Sequence, residues 1–267
     1  MLHLTPGLTA YFLILAALLG MVMGSFSGCM AARLAAGEDF VRGRSHCDAC
    51  GHVLSPLDLV PVVSWLCLRG RCRYCGAKIP ALCPVTELLC GAAFTAVLWR
   101  YDVSLRTAEA WILIVLLLAV SLVDLSTGLI PDGLLIAMGA DFALFTVLGG
   151  GAWWRALGRG VLTGLLLAGP VLLLSLVMDR VLKKESMGGG DIKLYFATGL
   201  FFPWTQGLFV LLLSCLLGIL FALVFRNVRT GDPENPGAFP FGPSIAAAAV
   251  VGLIAAEPIV SAYLSLF

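Results

Sequence analysis

Apolar residues along this chain gather into long runs instead of the alternating or 3.6-residue patterns that half-bury soluble strands and helices. Runs close to the ~20 residues that span a bilayer occupy roughly 8–32, 81–99, 108–126, 131–149, 158–180, 206–226 and 239–262. An eighth, shorter run covers 191–204, where the residues between Asp191 and Pro203 rise only about 16 Å as a helix. It spans if Gly188–Gly190 and Trp204 sit at the interfaces or the bilayer thins, and it is otherwise re-entrant. Arg33 and Arg42 follow the first run where a secretory signal would carry small residues and a cleavage site, so that run is read as a retained helix. The pattern predicts an all-α polytopic membrane protein of about eight helices, divided as 1–36 (first helix), 37–80 (a loop) and 81–267 (a helical core).

Composition agrees: 60% hydrophobic and only 12% charged residues leave too little charge to coat a soluble globule of 267 residues. A net charge of +1 without a basic run gives no footprint for nucleic acid, and the expected surroundings are membrane lipid. Lysines and arginines accumulate in cytoplasmic loops. An outside N-terminus puts all 17 inside except Arg100, Arg106, Arg155 and Arg159. Were 191–204 re-entrant, Arg226 and Arg229 would move outside, so the charges favour eight crossings and a cytoplasmic 37–80 loop.

That loop carries two Cys-x2-Cys-Gly knuckles, Cys47/Cys50 and Cys72/Cys75. Each turns two thiolates toward one point, and together they complete a tetrahedral sulfur shell suited to zinc. Four sulfur ligands leave no open position for water, which makes the metal structural and disfavours a zinc hydrolase. Disulfides or redox thiols are the competing readings, and a cytosolic loop disfavours the former. His46 and His52 flank the first knuckle and could replace a thiolate. Cys29, Cys83, Cys90 and Cys215 lie in or beside apolar runs as small hydrophobes, and Cys67 stands unpaired in the loop.

Ionisable residues at membrane depth are functional candidates by default. Glu87 lies in the first turns of the second run, behind Pro84. Asp124 ends the third run, before a polar turn and Pro131, and Asp191 begins the short run after Gly188, Gly189 and Gly190. The topology brings Asp124 and Asp191 to the same cytoplasmic depth. Two close carboxylates in a partly dry site hold one proton between them, so that one can deprotonate water while the other protonates a scissile carbonyl. Alone, the glycine stretch reads equally well as a plain turn. With Asp124 as partner, its bare backbone suits an extended peptide lying across the site. Lys193 adds positive charge beside the pair or reaches lipid headgroups. Asp132 reads as a helix cap, Asp141 as a buried acid too deep to join the pair, and Asp179 as a solvated charge. Trp153 and Trp154 read as interfacial anchors, and 227–240 as a polar linker.

These motifs resemble the type IV prepilin peptidases, which are intramembrane aspartic proteases. The resemblance rests on Asp124 six residues before Ile130-Pro131, on Gly188-Gly189-Gly190-Asp191-Ile192-Lys193, and on the paired Cys-x2-Cys loop. It extends through Asp58–Trp65, Arg69–Ile79, Pro84-Val85-Thr86-Glu87 and Phe241-Gly242-Pro243. It implies catalytic roles for Asp124 and Asp191 and metal ligation by Cys47, Cys50, Cys72 and Cys75. It also implies removal of a short basic leader, after a glycine, from prepilins or type II secretion pseudopilins at the cytoplasmic face of the bacterial inner membrane. Many relatives also methylate the new N-terminus with S-adenosylmethionine. This chain departs from the family where Gly28 replaces the asparagine of Gly-Ser-Phe-Leu-Asn-Val. Two other readings compete: an ion- or proton-coupled transporter with a zinc docking module, and a presenilin-type protease, which lacks such a loop.

Overall fold

The computed structural model describes residues 5–39, 43–183, 187–224 and 240–266. Arg42, Lys184, Arg226, Arg229 and nearly all of the 227–240 connection lie outside the described residues. The chain divides into two compact units, Met1–Thr107 and Ala108–Phe267.

In the first unit, α1 (Pro6–Ala36) packs along α3 (Leu82–Tyr101), and α2 (Val63–Cys67) belongs to the intervening loop. Small residues permit the close packing. A Cβ on Gly20 would lie 2.8 Å from the Cys90 carbonyl oxygen, and one on Gly24 would lie 2.9 Å from the Glu87 Cα. Without a hydrophobic drive between helices in lipid, such backbone proximity supplies the packing energy. α1 opens with Pro6 in its first turn and stops at Gly37, whose left-handed φ of 71° lets Glu38 N–H close back on the Arg33 carbonyl 2.9 Å away.

The second unit contains α4 (Leu105–Thr127), α5 (Asp132–Leu148), α6 (Trp153–Leu182), α7 (Gly189–Gly199), α8 (Trp204–Val224) and α9 (Gly242–Leu264). α4 is the most enclosed span, with Leu113, Leu117 and Val120 fully buried. α7 lies against α6 through glycines on both helices, a Cβ on Gly199 falling 2.7 Å from the Gly164 Cα. α8 and α9 form the other close pair.

Among the described residues each of the eight apolar runs contains a helix, but six helices (α1, α3, α4, α6, α8 and α9) are long and apolar enough to cross a membrane. The 17 residues of α5 and 11 of α7 fall short. The expected 191–204 element ends at Gly199, and the next helix starts at Trp204, with Pro203 O just ahead of it accepting Gly207 N–H. α6 runs longer than the 158–180 stretch, taking Trp153 and Trp154 into its first turn.

Candidate functional site

Each knuckle is built the same way. A backbone bridge pairs His46 with Val53 and another pairs Arg71 with Lys78. Within the bridges, Cys47 N–H donates to His52 O at 2.9 Å and Cys72 N–H to Ala77 O at 2.8 Å. The turn is then closed by glycine in a left-handed conformation, Gly51 at φ 69° and Gly76 at φ 73°. An L side chain rarely adopts that angle, which explains the fifth residue of each Cys-x2-Cys-Gly motif. The Sγ atoms of Cys47, Cys50, Cys72 and Cys75 all fall within 4.8 Å of one another, with Cys47 and Cys75 3.8 Å apart, and none forms a disulfide. Zinc–sulfur bonds of about 2.3 Å in a tetrahedron require sulfurs about 3.8 Å apart, so these residues fit zinc. His46 and His52 stand outside this set. His46 Nδ1 lies 3.4 Å from Arg44 O, and the His52 ring stacks 3.6 Å from the Tyr74 ring.

Asp58 braces the loop. Its carboxylate accepts from the Ser55 hydroxyl at 2.7 Å, from Ser55 N–H, and from Arg73 Nε and the Tyr74 hydroxyl inside the second knuckle. The Ser55 hydroxyl bond is the foremost cause holding the Asp58 carboxyl at about 2, below the ordinary range. Glu87 has a comparable anchoring part. Buried in the first turns of α3, it accepts Val62 N–H at 2.7 Å. Val62 itself has φ 61° and sits in a three-residue turn closed by Val63 N–H to Pro61 O. That conformation is strained for a β-branched residue, and the Glu87 bond helps hold it. The sequence marked Glu87 as a candidate through its depth but gave no sign of this partner.

In the second unit, Asp124 lies near the end of α4, only 4% exposed, and its Oδ2 accepts Gly242 N–H from the start of α9 at 2.8 Å. Asp191 occupies the first turn of α7. Its Oδ1 is buried with no hydrogen-bond partner among the described residues, and its carboxyl lies close enough to Asp124 to feel that residue's charge. Two contacts join the α7 end to the α4–α5 turn. A Cβ on Gly190 would lie 3.1 Å from the Ile130 Cβ, and Lys193 Nζ pairs with Asp132 Oδ1 at 2.7 Å. Asp132 therefore forms an ion pair with Lys193; Pro131, not Asp132, occupies the N-cap of α5. Asp141 is buried within α5.

The glycine stretch needs its lack of side chains for a narrower reason than backbone freedom. Gly188 has φ −64°, and none of Gly188, Gly189 and Gly190 has positive φ. Space is tight only at Gly190; nothing lies within 4 Å of a Cβ on Gly189, and Gly188 would meet only Asp191 Oδ2 at 3.5 Å. Gly190→Val should therefore push α7 from Ile130. Overpacking costs about 1–3 kcal/mol. If that cost falls on alignment of Asp124 with Asp191, any activity that needs both drops roughly 5- to 160-fold. Zinc content, measured on the same preparation, should not change.

The Bacterial Peptidase A24 N-terminal domain matches residues 18–101, and the Type IV leader peptidase family matches residues 111–223. The Prepilin leader peptidase/N-methyltransferase of Aeromonas salmonicida (strain A449) is 36% identical over 224 residues, 83% of this chain and 75% of that protein. The protein of the same name from Myxococcus xanthus (strain DK1622) is 35% identical over 207 residues, 77% of this chain and 61% of its own length. That from Bacillus subtilis (strain 168) is 28% identical over 247 residues, 92% of this chain and 96% of its own length. No solved structure matches. The Aeromonas match covers most of both proteins, and the chain belongs to the type IV leader peptidase family.

Proposed function

We propose that this chain is a prepilin peptidase of the bacterial inner membrane whose chemistry is performed by Asp124 and Asp191. The observation that carries this reading is the meeting of Asp124, buried near the end of α4, with Asp191, half-buried in the first turn of α7, where Gly190 packs against Ile130 of the turn that follows Asp124. A pair sharing one proton supplies both a base for water and an acid for the amide carbonyl. The Gly188–Gly190 backbone leaves room beside Asp191 for an extended leader, with main-chain pairing to hold it. The exposed Lys193–Asp132 ion pair links α7 to the first turn of α5. The substrate class is the leader of a prepilin or secretion pseudopilin, as the relatives' names and the motifs suggest.

Cys47, Cys50, Cys72 and Cys75 would hold zinc as a cross-link within a loop that has little core of its own. The metal has no part in peptide cleavage in this scheme. The relatives' names also include N-methyltransferase. At Gly28 the chain has no amide side chain, and a Cβ there would meet nothing within 4 Å. The residues do not reproduce the family's pattern at that point, and no step is derived through S-adenosylmethionine.

The test is coexpression with a prepilin and measurement of leader removal, with mass spectrometry of the product reporting any added methyl group separately. Persistence of the full-length precursor with correctly inserted wild-type protein would overturn the peptidase reading. Orientation has its own readout. A reporter active only outside the cytoplasm, fused after Lys78, is expected to be silent, and activity there would overturn a cytoplasmic zinc loop.

A further inference from the structure

The two aspartates are held differently. Asp124 Oδ2 receives a backbone N–H at 2.8 Å in a buried setting, whereas Asp191 Oδ1 is buried with no partner among the described residues. A hydrogen bond to an ionised acceptor is stronger than one to a neutral acceptor. The donor is also the first amide of α9, one of the N–H groups that a helix leaves unpaired and where its dipole favours negative charge. Asp191 too sits in a helix first turn, but no side-chain capping bond is formed there, and its own N–H is directed to Gly188 O. An ionised carboxylate with a buried, unpartnered oxygen is costly; a carboxylic acid in the same place costs far less.

Gly242 is shaped for this contact. A Cβ would lie 2.7 Å from Asp124 Oδ2 and 3.2 Å from its Cγ, so only glycine lets this amide come so near. The preceding Phe241 wedges the start of α9 into place. Its ring fills the space left by Gly218 of α8 and lies 6.5 Å from the ring of Tyr195, one turn beyond Asp191 on α7. Tyr195 is fixed in turn by a 2.6 Å hydrogen bond with Ser214 of α8.

We propose that Gly242 divides the labour between the acids: its N–H fixes Asp124 as the carboxylate that activates water and leaves Asp191 as the acid that protonates the scissile carbonyl. This rests on the aspartic-pair reading above. In the first step, a water oxygen bonds to the carbonyl carbon, its proton passes to Asp124, and the Asp191 proton passes to the carbonyl oxygen. The result is a neutral gem-diol. In the second step, the carbon–nitrogen bond breaks, the Asp124 proton goes to the leaving nitrogen, and one diol proton returns to Asp191. Both side chains regain their starting states, and Gly242 acts throughout as a positioning residue.

The test labels the purified full-length protein in detergent with two reagents. An epoxide is opened by an ionised carboxylate, whereas a diazo ester must first take a proton from a carboxylic acid before nitrogen leaves and the ester forms. Peptide mapping should find the epoxide adduct on Asp124 and the diazo-derived ester on Asp191. The reverse pattern, or either reagent divided equally, overturns the assignment. Gly242→Ala supplies the second arm. It should lower kcat for prepilin cleavage about 10- to 100-fold with KM unchanged, and should abolish the epoxide's preference for Asp124. Unchanged kcat, or an effect confined to KM, overturns the positioning role. Retained cleavage in an Asp124→Asn or Asp191→Asn variant would defeat the underlying pair itself. Inactivity of both variants with reversed labels would defeat only the division of roles.

Discussion

Asp124→Asn and Asp191→Asn, each made alone, should leave a coexpressed prepilin at precursor length, with cleavage reduced by at least about 10²–10⁴-fold. Asparagine matches the shape of aspartate and still accepts the Gly242 N–H, so the helix packing around Asp124 should survive. What it cannot do is carry a proton between water and the amide. At position 191 an amide fills the same volume but cannot cycle between acid and carboxylate. In the proposed scheme the two residues act on one substrate bond as a unit, so the double variant should be hardly worse than either single one. A transporter reading predicts no dependence of leader removal on either residue. Quantitative immunoblotting of precursor and product decides the matter, and substantial processing by either variant would rule out the pair.

Replacing Cys47 and Cys72 together with serine should abolish zinc binding and open the 43–80 segment to proteases while the helices around it remain inserted. One ligand is lost from each knuckle, leaving two sulfurs where four lie within 4.8 Å of each other. Structural zinc in small peptides contributes about 10–16 kcal/mol, far beyond what the loop's own contacts replace. Those contacts are few: α2 has five residues, none of them buried. Metal analysis and limited proteolysis provide the two readouts. Zinc content equal to wild type would remove the four-cysteine assignment.

Much of the helical fold was legible because lipid demands long apolar runs. Leu82–Tyr101 and Asp132–Leu148 lie within two residues of the stretches expected at 81–99 and 131–149. Ends were harder to read. Trp153, Trp154 and Arg155 are tolerated in the first turn of α6 at the edge of the apolar run, so the helix starts earlier than hydropathy suggests. The number of crossings also resists a reading from hydropathy, since α5 and α7 are helical yet shorter than the other six. In the 43–80 loop, Cys-x2-Cys-Gly announced both the four-sulfur cluster and its turns, because paired thiols and a left-handed glycine follow from local chemistry. The bonds of Asp58 to Arg73 and Tyr74 did not announce themselves: ordinary polar residues at those separations have many possible partners.

At the acids, depth and spacing singled out Asp124 and Asp191 without any view of the packing. Their surroundings were hidden for separate reasons. Gly242 contributes a backbone amide, which every residue but proline possesses, and it does so across 118 positions of chain. The Lys193–Asp132 pair was concealed by two charges that each had a sufficient local explanation, one as a snorkelling lysine and the other as a cap.

The two knuckles share a backbone design but are not equally braced. The second is tied by Asp58 to Arg73 and Tyr74, and by the Trp65 indole N–H to Ile79 O; its Cys72 is buried. In the first, Cys47 is only half-buried, while Cys50 and its counterpart Cys75 are both exposed. A thiol or chelator competing for a metal held by these four cysteines would meet the less braced 47–50 turn first. Release of such a metal would begin at the 47–50 turn, with the 72–75 turn keeping its shape through Asp58 and Trp65.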